Sequence, residues 1–377
     1  MISIKFRAKS ALLALSVIFI FSSSAFSQSI EPLLDKYLEA YYKAKNVPSV
    51  CAGALVEGKL FWAKGLGYAD VENSVKTNTQ TVYRIASVSK SITAIAVMQL
   101  VEKGLIKLDD DISKYVPYFP KKKWPVTVRE LLTHTSGIRG YRPGEFDSKE
   151  FYPGIKEAVL TLANDSLEFK PGTKYSYNTL AYNLLAAAVE NVSKLSFGDY
   201  LKKRVFEPAG MSLTKLEVQA DIVTNRAHGY VKTADSIKNA PLADLSVKYA
   251  GGGIISNVED LLKLGKALIE NKLILKSTLD SMLVPTFLPN GERIDYGLGF
   301  GFGSDSLNRR SFSHAGGGTG FCSHFAVYPA QKAVFVYLIN TRENNLDNPA
   351  LDIASIVLFD GNKEIPLNGF LQKFLKK

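Results

Sequence analysis

The chain has 377 residues, with 46 Lys and Arg against 36 Asp and Glu, and a formal net charge of +10 at neutral pH. That length can bury a core without cross-links, and no internal repeat or low-complexity linker divides it. The mild basic excess is spread along the chain, with Lys121-Lys122-Lys123 as a tight run. No nucleic-acid module, zinc spacing or dinucleotide fingerprint is present.

Residues 1–27 read as a signal peptide. Lys5, Arg7 and Lys9 form a basic start, residues 11–21 a short apolar core, and Ala25-Phe26-Ser27 a cleavage site before Gln28. The apolar stretch is too short for a comfortable membrane span, and no cysteine stands at the cleavage point for a lipid anchor. The expectation is a secreted protein of a bacterial periplasm, with no stable membrane span after cleavage. Apolar and small neighbours around Cys51 and Cys322 favour buried free thiols over a disulfide, although a secreted location permits one.

Leu33, Leu34, Tyr37, Leu38, Tyr41 and Tyr42 recur at helical spacing within 30–46. Two strand-like runs follow at 50–56 and 60–68, with Glu57-Gly58 as the hairpin turn between them. Next comes Arg84-Ile85-Ala86-Ser87-Val88-Ser89-Lys90-Ser91, then a run from Ile92 to Val101 in which only Thr93 and Gln99 are polar. Gly104 supplies a stop. A helix apolar nearly all round is a buried one. Ser87 lies at its start, and Lys90, three residues on, shares its face. A buried lysine loses pKa and becomes a general base beside a serine nucleophile. The helix N-terminus adds free N–H groups for an oxyanion. The plain alternative is an N-cap serine beside a solvated lysine, and a lone Ser-x-x-Lys does not separate the two.

From about 110 to 290 the pattern is helical and loop-rich, with helices at 155–162, 182–192 and 258–269, and 128–132 leading into His134-Thr135-Ser136-Gly137. Strand patterns return at 297–303, 310–314, 323–328 and 333–340, and 350–358 reads as a helix. The fold class is therefore α+β: an antiparallel sheet flanked by helices, plus a mainly helical lobe. The sheet lobe takes about 28–110 and 290–377, the helical lobe about 110–290, within one domain of 28–377. The site belongs where the lobes meet.

Two further stretches carry chemistry. Pro171-Gly172-Thr173-Lys174-Tyr175-Ser176-Tyr177-Asn178-Thr179 is a loop at a helix start, where a tyrosine can shuttle a proton or simply pack. Arg310-Ser311-Phe312-Ser313-His314-Ala315-Gly316-Gly317-Gly318 reads as a strand ending in glycines. It can line a substrate edge-on and donate an N–H, or form a flexible hairpin. His134, His228 and His324 are weaker candidates than His314.

Together with Leu131-Leu132-Thr133-His134-Thr135-Ser136-Gly137-Ile138, Gly251-Gly252-Gly253 and Tyr296-Gly297-Leu298-Gly299, these stretches resemble the serine β-lactamase and penicillin-binding-protein family, on its class C and D-alanyl-D-alanine peptidase side. The resemblance runs over nearly the whole chain after residue 27. It implies that Ser87 is the nucleophile and Lys90 the base, that Tyr177 shares the proton transfer, and that Thr179 stands where asparagine is usual. Asn178, one place early, points elsewhere. His314-Ala315-Gly316 takes the place of the Lys-Thr-Gly motif, so a permanent cation becomes one that titrates near neutrality. Gly316 and Gly317 border the substrate, and the Ser87 and Gly317 N–H groups form the oxyanion hole. The implied reaction is acyl transfer to Ser87 from a β-lactam, a D-amino-acid peptide or a carboxylic ester, a small or cell-wall-derived substrate, with no metal or organic cofactor. The alternative is a penicillin-binding or sensor protein that is acylated and turns over slowly.

Overall fold

The structure is a computed structural model. It describes residues 30–233, 236–305, 307–342, 347–359 and 369–375; the signal peptide expected at 1–27 lies outside the described residues.

Helix α1 (30–45) leads into strands β1 (Ser49–Val56) and β2 (Lys59–Asp70), which meet at Glu57 and Gly58, both at positive φ. Short strand β3 (Val75–Lys76) closes this edge. The other half of the sheet comes from the far end of the chain. The strands run in the order Gly301–Ser304, Arg310–Gly318, Phe321–Tyr328, Ala333–Ile339, β1, β2, β3, all antiparallel. The two chain ends join in mid-sheet, with Val50 opposite Ile339 and Val56 opposite Ala333. Every residue of Phe321–Tyr328 and Ala333–Ile339 is buried, which is why Ala333–Ile339 reads as a continuous apolar run: both faces are covered.

Helix α1, Pro349–Val357 and Gly369–Leu375 cover one face, over a core that includes Leu34, Tyr37, Tyr41, Phe335 and Ile353. Tyr37 Oη donates to Asp352 Oδ2 at 2.5 Å beneath them. The opposite face receives α2 (Val88–Glu102) and the helix Val258–Ile269. The second of these sits hard on the strands. A Cβ at Gly53 would stand 2.6 Å from Val258 Cγ1, and one at Gly265 2.6 Å from Val334 Cγ1. The sequence pattern puts this helix with the helical lobe; the two glycines let it reach the sheet instead.

Beyond α2 pack Val128–Leu132, started by a Thr127–Glu130 capping box, and the helices Ile155–Ala163 and Tyr182–Ser193. Short strands lie among them. One of these, Ile254–Ser256, pairs with Tyr83–Arg84 just before α2. The expected strand over 297–303 begins only at Gly301. Gly297 is pressed onto the Met282 carbonyl, and Gly299, at φ 84°, onto Ala94 of α2. Close packing on the central helix wins there over sheet pairing. Cys51 and Cys322 are both buried and form no disulfide among the described residues, and they belong to the cores on opposite faces of the sheet. Among the described residues, no helix is long and apolar enough to cross a membrane.

Candidate active site

The site begins with a backbone turn. Ile85 N–H donates to Ile254 O at 3.1 Å. Ala86 then takes φ 45°, a left-handed conformation that costs a non-glycine residue roughly 1–3 kcal/mol. Ser87 follows at the N-cap of α2, but its side chain caps nothing. Its hydroxyl is therefore left for chemistry, and it lines a cleft of about 660 Å³, within the roughly 300–1,000 Å³ usual for small-molecule sites.

Lys90 is fully buried. Its Nζ lies 3.1 Å from Ser87 Oγ, 3.0 Å from Thr179 Oγ1 and 2.7 Å from Gly251 O. Burial, helped by the charge of Lys248, holds its pKa well below the ordinary lysine value. Both alternatives left by the sequence, a capping serine and a solvated lysine, are absent here. The other polar residues at the start of α2 fix the surrounding loops. Ser91 Oγ donates to Gly299 O, Thr93 Oγ1 to Ala250 O, and Ser89 Oγ accepts from Ile254 N–H. Gly251 has to be glycine, because a Cβ there would overlap the Thr179 carbonyl.

Tyr177 borders the cleft, 44% exposed. Its ring centroid is 4.7 Å from Lys90 Nζ and 4.3 Å from that of His134. Burial of its inner side raises the phenol pKa, and a hydrogen bond with Ser87 lowers it by less. Tyr177 is thus a neutral phenol at physiological pH.

Asn178 does point elsewhere. Its Nδ2 donates to Ile138 O and Arg139 O at 2.5 and 2.6 Å, and its Oδ1 accepts from Ala181 N–H at 3.0 Å. It ties the 134–139 loop to the start of the next helix. Thr179 takes the lysine contact in its stead.

His314 corrects the expectation of a group that titrates near neutrality. Its Nδ1 is 2.6 Å from Ala315 O and its Nε2 3.0 Å from Tyr296 Oη. Burial first, then the charge of Lys90, pushes its pKa down to about 3. The ring is neutral, donating from Nδ1 and accepting from Tyr296. The cause is desolvation: the ring is only 6% exposed in a wall of aromatic side chains.

Strand Gly301–Ser304 pairs only with residues 310–313 of its neighbour. The edge from His314 to Gly318 is therefore left facing the cleft. A Cβ at Gly316 would overlap Ile85 O and Ser323 Oγ, so this residue presses the strand onto the start of α2. Gly317 has open space around its missing Cβ and lines the cleft next to Ser87.

Other residues also shape the site. Tyr296 holds His314, and its motif supplied the only hint. His134, at φ 60°, accepts from Asn178 N–H at Nδ1 and backs Tyr177. Tyr141, in a loop, and Lys248, at the end of the short 3₁₀ helix Ser246–Lys248, line a small chamber together with Ser87, and neither carries a sequence signal. His228 stays outside, 4.0 Å from Asp70, and His324 stacks on Tyr337. Among the described residues, no group of three or more His, Cys, Asp or Glu side chains could hold a metal ion.

A family model described as Beta-lactamase matches residues 34–357. The human mitochondrial serine beta-lactamase-like protein LACTB is 31% identical, over 88% of this chain and 80% of that protein. Penicillin-binding protein 4* of Bacillus subtilis is 29% identical, over 82% of this chain and 72% of its own length. Among solved structures, the octameric penicillin-binding protein homologue from Pyrococcus abyssi superposes with a TM-score of 0.75 at 27% identity, over 91% of this chain and 80% of that one. The penicillin binding protein from Bacillus halodurans gives a TM-score of 0.73, also at 27% identity, over 85% of this chain and 99% of that one.

Proposed function

The chain belongs to the β-lactamase family of serine hydrolases, and from that premise we propose that it cleaves an amide or ester through an acyl-enzyme on Ser87. The observation that carries this reading is the fully buried Lys90 amine, 3.1 Å from the Ser87 hydroxyl. Held neutral by burial, Lys90 takes the Ser87 proton as Oγ attacks the carbonyl carbon. Tyr177 carries the proton to the leaving group. The Ser87 N–H at the start of α2 and the Gly317 N–H on the strand edge receive the oxyanion. The leaving group departs and the acyl group stays on Ser87.

The preferred substrate is a D-amino-acid amide, peptide or carboxylic ester rather than a β-lactam. Two observations support this. His314 is neutral, so the strand edge presents no cation at the motif's first position to a β-lactam carboxylate. Thr179 keeps the lysine contact but brings no amide to a substrate carbonyl. Action on cell-wall material outside the cytoplasm rests on the leader pattern at 1–27 alone.

The test is intact-protein mass over time with a β-lactam and, separately, a p-nitrophenyl ester, for wild type and Ser87→Ala. A Ser87-dependent adduct that decays, faster with the ester, is expected. An adduct that persists with both reagents would replace hydrolysis by the slow-turnover sensor reading. An adduct equal in Ser87→Ala would remove Ser87 as the nucleophile.

A further inference from the structure

Next to the main cleft, Ser87 also lines a small chamber of about 20 Å³. One water needs roughly 10–15 Å³ of such room, together with at least two polar partners. The chamber supplies them. Thr179 and Lys248 line it, as does Tyr141, whose buried hydroxyl comes against Thr179 without closing a hydrogen bond of good geometry. Lys248 is itself buried; its Nζ donates to Phe146 O and lies 4.4 Å from the Phe146 ring centroid. Ala86, Phe146 and Leu245 supply apolar wall. A polar hydroxyl stranded beside a nucleophile, in a space of this size, fits a bound water better than a substrate side chain.

We propose that this chamber holds the water that hydrolyses the acyl-enzyme, and that the Thr179 hydroxyl relays the proton of that water to Lys90. The proposal rests on the Ser87 acyl-enzyme read above. The water oxygen bonds to the acyl carbon, and its proton passes to Thr179 Oγ1 as the proton of Thr179 passes to Lys90 Nζ. The tetrahedral intermediate then breaks its bond to Ser87 Oγ, which takes a proton from Lys90. One water is consumed. The acid and the free serine carry its atoms, and Thr179 and Lys90 return to their starting state.

The stereochemistry of a neutral amine matches this sequence. Lys90 has two N–H groups and one lone pair, and three oxygens around it at 2.7, 3.0 and 3.1 Å. During acylation the lone pair faces Ser87, and the N–H groups face Thr179 and Gly251. During deacylation the lone pair faces Thr179, and an N–H faces the departing Ser87 oxygen. A hydroxyl donates and accepts through one atom; an asparagine amide at this position splits those roles between two atoms and cannot pass the proton on. The departure from the family pattern at Thr179 thereby acquires a chemical use.

The experiment separates acylation from deacylation by rapid quench and intact mass with a p-nitrophenyl ester, on wild type and the Thr179→Ser, Thr179→Val, Thr179→Asn and Tyr141→Phe variants. Thr179→Ser is expected to deacylate within about threefold of wild type. Thr179→Val and Thr179→Asn are expected to acylate within about tenfold yet deacylate about 100-fold or more slowly, the usual scale for a lost proton-transfer group, so that adduct accumulates. Tyr141→Phe should slow deacylation alone. The relay is overturned if Thr179→Asn deacylates within threefold of wild type, or if Thr179→Ser is as slow as Thr179→Val; the asparagine variant decides the matter should the valine variant not fold. A wild type that acylates and turns over while these variants behave alike removes the relay and leaves the acyl-enzyme reading standing. A wild type without a Ser87 adduct removes both.

Discussion

Lys90, buried behind Ser87, and His314, in the cleft wall, are both desolvated, which lowers the pKa of each. For the lysine this exposes a lone pair and makes a base. For the histidine it removes a cation that the motif comparison would otherwise supply. Two predictions belong at this scale. The kcat/KM should fall as pH drops, because protonating Lys90 withdraws the base, and Lys90→Met should lose about 10²–10⁴ in acylation rate by stopped-flow. The affinity for a carboxylate-bearing substrate should be flat from pH 5 to 8, since His314, held to about 3, carries no charge across that range. A KM that rises with pH in that window would restore a cationic His314. The burial of Lys90 was legible in the apolar run after it. The neutral state of His314 was not, because it depends on Tyr296 and the Ala315 carbonyl closing around the ring.

The elements meet at glycines, and the consequences differ by place. Gly316 presses the Arg310–Gly318 strand onto Ile85 at the start of α2. Gly316→Ala should destabilise by about 1–3 kcal/mol through overpacking and also lower activity per folded molecule, since the strand edge and Ser87 move apart. Gly265 lets the Val258–Ile269 helix seat on Val334, far from the cleft. Gly265→Ala should bring a similar loss in urea unfolding, with activity per folded molecule unchanged. Equal losses of specific activity in both variants would refute the division. Asn178→Ala should cost about 1–3 kcal/mol, because the Ile138 and Arg139 carbonyls lose their buried donor. Periodicity located nearly all of these helices and strands to within a residue or two. It could not locate the loss of strand at 297–300, where contact with α2 outcompetes the ladder, nor the seating of Val258–Ile269 on the sheet, since an amphipathic face does not say what covers it.

Across the whole molecule, three histidines are buried as neutral rings. Burial lowers the pKa of His134 well below its ordinary value, that of His314 to about 3 and that of His324 to about 4. The unfolded chain binds these protons below about pH 6.5 and the folded chain does not, so stability should fall as pH drops from 6.5 towards 4, by up to about 1.4 kcal/mol per pH unit for each ring. Asp352, raised to about 6 by burial under the terminal helices, works the other way, gaining stability as pH falls from 6 towards 4 and offsetting about one ring. The urea midpoint should therefore be lower at pH 5 than at pH 7; an equal or higher midpoint would mean that the histidines are charged in the fold. The sequence by itself determined the α+β class and the order of helices and strands, which follow from hydrophobic period, the family, which follows from the order and spacing of its motifs, and the shared face of Ser87 and Lys90, which follows from their spacing on a single helix. Tertiary structure alone decided which charges survive in the cleft, that Thr179 and Gly251 complete the shell around Lys90, and that Tyr141 and Lys248 line a chamber with Ser87. Those outcomes depend on groups as distant in the chain as Lys90 and Gly251, 161 positions apart, and on the loss of water between them, and neither distance across the fold nor desolvation is written in local sequence.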